Sequence, residues 1–77
     1  MKPTHIHERD INRKLARIVK ESIESELPMD IVKATAISDA FNLPSRRTGG
    51  MHVNDARSTR LNFEVNAESK VTKVFIG

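Results

Sequence analysis

The sequence predicts an α+β fold, with two or three helices followed by a C-terminal β-hairpin, in an outline compatible with a small winged helix. Two observations carry this. Apolar residues recur at helical spacing through the first half of the chain, and they alternate with polar ones after residue 60. A third sets the scale: 77 residues make one domain and are too few for two.

Residues 1–9 are polar, with Pro3 near the start, and read as a flexible arm. Asp10 is the expected cap of the first helix, because a carboxylate there accepts from backbone N–H groups left free in the first turn. Thr4 is the alternative for an earlier start. Ile11, Leu15, Ile18, Val19 and Ser22 then fall within about 100° of one another, with Ile23 widening the face. The helix is expected to end near Glu26, since Pro28 disfavours α geometry at Leu27.

A second helix is expected from Pro28 or Met29 to Phe41. Met29, Val32, Ala36, Ala40 and Leu43 share one side, and Ala34, Ile37 and Phe41 widen it. A face that broad implies a helix packed on two sides. Thr35 and Ser38 allow a break into two short helices. Asn42-Leu43-Pro44 ends the run. Ser45 would cap a further short helix, which Gly49-Gly50 interrupts after about one turn. Val53 to Arg60 suits either a short helix or an irregular loop.

The C-terminal segment reads as a hairpin. Leu61, Phe63 and Val65 alternate with Asn62, Glu64 and Asn66, the period of a half-buried strand. Ala67-Glu68-Ser69 forms the turn, and Val71 to Ile76 is rich in β-branched residues. Two strands alone are marginal, so they must lie on the helices or pair with a third strand or a second subunit.

Composition narrows the function. There is no cysteine, so no disulfide or thiolate metal site can form, and an intracellular, cytoplasmic setting is expected. The start lacks the apolar run of a signal peptide, and no stretch is long and apolar enough to span a membrane. A domain this small buries only about 60% of its unfolded surface. A homodimer sharing apolar surface would therefore help.

The net charge of +3 is unevenly spread. Residues 1–20 sum to +4, residues 21–44 to −4, residues 45–60 to +3, and the remainder to zero. Arg9, Arg13, Arg17 and Lys20 lie within about 80° of one another on the first helix, opposite its apolar face. Such a row can track phosphates. It also reads as a solvated face held by Arg17–Glu21 and Lys20–Glu24 pairs. Cations leading and acids trailing is, however, the unfavourable order for the helix dipole, so helix stability alone does not explain it.

A second cationic stretch is Ser45-Arg46-Arg47-Thr48-Gly49-Gly50, followed by Arg57 and Arg60. Guanidinium forks match phosphate geometry, and hydroxyl and backbone N–H groups add contacts. An ordinary polar loop has the same composition. Residues 36–47 carry a helix-turn-helix flavour, in which a helix capped by Ser45 would enter the major groove and the hairpin would be the wing.

No catalytic constellation is present. There is no cysteine nucleophile, and Gly49-Gly50 is not followed by the Lys-Ser/Thr of a P-loop. His5, His7 and His52 are read as solvent-exposed, so no metal and no cofactor are expected. The leading expectation is a non-enzymatic, DNA-binding, transcription-regulating protein, with Arg9, Arg13, Arg17, Lys20, Arg46, Arg47, Arg57 and Arg60 meeting nucleic acid. The alternative is a small interaction protein of the kind phages and mobile elements use to inhibit host machinery such as RNA polymerase. A single contact surface made of these eight residues requires the two cationic stretches to converge on one side of the molecule.

Overall fold

The computed structural model describes residues 8–48 and 57–77, with the backbone alone for Glu8 and Arg9. The elements run α1 (Glu8–Glu24), β1 (Met29–Asp30), α2 (Ile31–Ala40), β2 (Ser45–Thr48), β3 (Leu61–Val65) and β4 (Lys70–Ile76). The α+β expectation holds, as does the C-terminal hairpin. The strands form one sheet in the order β1-β4-β3-β2. β3 pairs antiparallel with β4 and parallel with β2, and β1 adds a short antiparallel edge to β4. The hairpin therefore meets the requirement for extra partners within the chain, through two short strands and the helices.

Helix α1 starts before Asp10, so that residue lies in the first turn rather than capping it, and Glu8 and Arg9 belong to the helix rather than to an arm. The alternative cap, Thr4, lies outside the described residues. The buried side of α1 is Ala16, Val19 and Ile23, with Leu15 partly covered. Ile11 and Ile18, grouped with the core by periodicity, are 51% and 63% exposed. The core face is thus turned by roughly one residue step from the apolar centre of the sequence pattern, because alanine at position 16 lets the helix sit close on β4.

Helix α2 begins later than expected, after two residues of strand. Asp30 caps it, its carboxylate accepting from the Val32 N–H at 2.8 Å. Pro28 precedes β1 and is not in the helix. At the other end the N–H groups of Leu43 and Asn42 donate to the carbonyls of Ser38 and Asp39, with Asn42 left-handed at φ 55°. That is a Schellman stop, in which asparagine stands in for the usual glycine. The Ser38 hydroxyl, fully buried, donates to the Leu43 carbonyl at 2.8 Å and fastens the turn.

The core face of α2 is Ile31, Ala34 and Ser38, with Ile37 partly buried. Of the side expected to pack, Met29 and Leu43, just outside the helix, are buried, but Val32, Ala36 and Ala40 are exposed, Val32 by 74%. One flank of this broadly apolar helix is packed, and the other is open.

The largest correction lies after Pro44. Ser45–Thr48 is an edge strand, not the start of a recognition helix. Leu61 N–H donates to the Pro44 carbonyl at 2.9 Å, which starts the parallel ladder and fixes its register. Arg57 to Arg60 is irregular, and Gly49-Gly50, His5, His7 and His52 lie outside the described residues. Both helices pack on one face of the sheet over Leu61, Phe63, Val71 and Val74. No helix among the described residues is long and apolar enough to cross a membrane.

The rotated α1 face gives a direct test. Ile23→Ala should destabilise the protein by about 2–5 kcal/mol, the range for emptying a packed aliphatic site. Ile18→Ala, which removes only exposed surface, should shift it by under about 0.5 kcal/mol. Urea unfolding of the two variants checks this, and equal losses would contradict the observed face.

Candidate binding surfaces

Three cations of the α1 stripe can be placed by their side chains. Arg13 and Arg17 are exposed, and Lys20 is half-buried. Arg13 approaches Asp10 at 3.8 Å, and Lys20 is held by Glu24 at 3.1 Å. Arg17 and Glu21 do not form the ion pair that their spacing allows. Exposed pairs such as Arg13–Asp10 are worth little in water, so they do not commit the guanidinium. The fourth, Arg9, lies in the first turn, and its side chain is not described.

The N-terminal part of α1 stands clear of the core. Residues 10–14 are all exposed, and the first buried side chain is Ala16. Arg13 and Lys14 therefore sit on a helical projection, and Arg17 lies one turn further in.

The second cationic stretch is split by strand geometry. Side chains of neighbouring strand residues point to opposite sheet faces. Arg46 is in register with Asn62 and donates from Nε to its Oδ1 at 2.8 Å, on the face away from the helices. Arg47 is in register with Phe63 and turns to the helix side, beside α2. Arg57 is exposed in the irregular approach to β3.

Arg60 is only 8% exposed, and its Nε donates to the Gly77 carbonyl at 2.9 Å. It works inside a polar knot centred on Asn62. The two N–H bonds of the Asn62 amide are shared among the carbonyls of Gly77 at 3.0 Å, Phe75 at 3.3 Å and Arg60 at 3.4 Å. Asn62 is fully buried and no side-chain polar atom of this knot is left unsatisfied. Alternation placed Asn62 on an exposed face, and nothing in the sequence pattern marks it as a junction.

Arg46 and Arg60 therefore do not join the α1 stripe in one surface. Arg46 lies on the opposite side of the sheet from α1, and Arg60 is engaged internally. Two features remain as candidate surfaces: the basic projection of α1 and a groove beside Arg47. The groove, about 470 Å³, is lined by Ile31, Val32, Thr35, Ala36, Asp39 and Arg47. It runs between the open flank of α2 and the edge strand β2.

No model of a known protein family, no curated protein and no solved structure matches this chain.

The knot and the surface arginines should separate by mutation. Arg60→Ala and Asn62→Leu should each cost about 1–3 kcal/mol, because buried partners lose their hydrogen bonds. Arg57→Ala should leave the urea midpoint unchanged. A fully stable Arg60→Ala variant would return that side chain to the pool of free surface cations.

Proposed function

We propose that this is a non-enzymatic binding protein of the cytoplasm whose basic helical projection docks on nucleic-acid phosphates. One observation carries the reading: Arg13, Lys14 and Arg17 are exposed together on α1, two of them in the run 10–14, whose residues are all exposed. A helix standing clear of its domain can approach a duplex groove without the domain colliding with the backbone. Arg9, in the first turn, extends the same row by sequence position.

The chemistry favours contact with the phosphate backbone over base reading. Phosphate contacts set register and orientation and carry no sequence information directly. With β2 where a recognition helix was expected, base selectivity has no dedicated element among the described residues. A role in transcription would then come from occupying DNA or from bringing another protein to it. The groove beside β2 favours a second reading in parallel, a protein-binding role, because an open sheet edge beside an apolar helix flank suits an extended chain.

The test is a gel shift against random duplex across a salt series. Each neutralised phosphate contributes a slope of about −0.9 in log affinity against log salt. Replacing Arg13 and Arg17 together by alanine should flatten the slope by about 2, while Lys33→Ala, on α2, should leave it unchanged. No retardation by the unaltered protein at low salt would remove the nucleic-acid reading.

A further inference from the structure

We propose that the edge of β2 and the adjoining α2 groove form a docking site for an extended segment of a partner protein, one whose groove-facing side alternates an aliphatic with an acidic residue.

The backbone provides the first half of the site. In the parallel ladder, the pairing of Leu61 N–H with the Pro44 carbonyl directs Pro44, Arg46 and Thr48 toward β3. The N–H and carbonyl groups of Ser45 and Arg47 then point outward from the sheet. No strand pairs with them among the described residues, since β2 ends the sheet. An open edge of this kind is a template for one more strand.

The side chains provide the second half. A strand laid beside β2 would turn every other residue toward the helix layer. There it meets Val32, Thr35 and Ala36 on the flank of α2 that the core leaves open, together with the core residue Ile31, which also lines the groove. Val32 at 74% exposure is otherwise an unexplained aliphatic residue on a polar surface. At the strand side of the same groove stands the exposed Arg47, with no acid in ion-pair range among the described residues. An aliphatic residue over Val32 and an acidic one beside Arg47, two positions apart, fit this pattern.

Charge also decides against a second copy of this chain as occupant. Antiparallel pairing of β2 with its own copy would set the arginines at 46 and 47 across from arginines, and directly opposed like charges destabilise a sheet. Asp39, which also lines the groove, disfavours a uniformly acidic peptide and keeps the acidic position next to Arg47. This site is distinct from the α1 projection, so it stands or falls independently of nucleic-acid binding.

The first test uses the free protein. Amide exchange at Ser45 and Arg47 should be at least about tenfold faster than at Arg46 and Thr48, whose N–H groups face β3. Equal protection would mean that the edge is already covered, by residues of this chain or by a second copy, and would overturn the proposal.

The second test uses a short peptide repeating threonine-valine-threonine-glutamate, titrated to about 1 mM, where even weak binding registers. Amide shifts should appear at Ser45, Arg47 and residues 31–36. Val32→Lys, at a site too exposed to unfold the protein, should abolish them. Arg47→Glu should weaken binding by about tenfold, one charge-assisted contact, and the lysine-for-glutamate peptide should then bind better than the original. No shifts with the unaltered protein, or shifts confined to α1, would refute the site.

Discussion

The fold turns on a polar side chain buried in its central strand. β3 is covered on both sides, with Leu61, Asn62 and Phe63 all at 0% exposure. An unsatisfied amide there would cost about as much as a sizeable part of a small domain's stability. Asn62 therefore has to find partners, and those it finds come from three places: Arg46 on β2, Phe75 and Gly77 at the end of β4, and Arg60 at the entry to β3. One amide thus joins the parallel edge strand to the hairpin and fastens Gly77, just beyond β4.

That requirement shapes the surface. Two of the eight cations grouped by the sequence pattern, Arg46 and Arg60, bond within this knot. By drawing Arg46 to the face away from the helices, the knot leaves Arg47 on the helix side. The strand period then parts two adjacent arginines that the sequence presents as one cluster. The exposed cations that remain fall on separate elements. Two candidate surfaces take the place of the single cluster, the α1 projection and the groove beside Arg47.

Both surfaces arise from the same economy of packing. With few aromatics to fill it, the core takes one narrow flank from each helix: Ala16, Val19 and Ile23 from α1, and Ile31, Ala34 and Ser38 from α2. Small residues at 16 and 34 bring the helices close to the sheet. The price is an apolar surplus, Ile11 and Ile18 on α1 and Val32 on α2, left facing outward. On α2 that surplus borders an open strand edge, and together they make a groove.

Local chemistry alone determined much of the architecture. Alternation from Leu61 to Val65, the Ala67-Glu68-Ser69 turn and the β-branched run to Ile76 specify a hairpin because the pleat has a period of two and few alternatives. Helical spacing after Ile11 and the stop at Asn42-Leu43-Pro44 are equally local. Asp30 was a legible cap, being a carboxylate directly before the apolar pair Ile31-Val32, although Pro28 drew the expected helix start forward. Tertiary structure alone decided the rest. Ser45–Thr48 is strand because β3 offers it a ladder, a nonlocal partner that outweighs the helix signal of Pro44-Ser45. Which flank of each helix is buried depends on where small residues permit close approach to the sheet, and a broad apolar face leaves that choice open. The fate of each arginine depends on its neighbours in space, above all on an asparagine whose burial no local pattern announces.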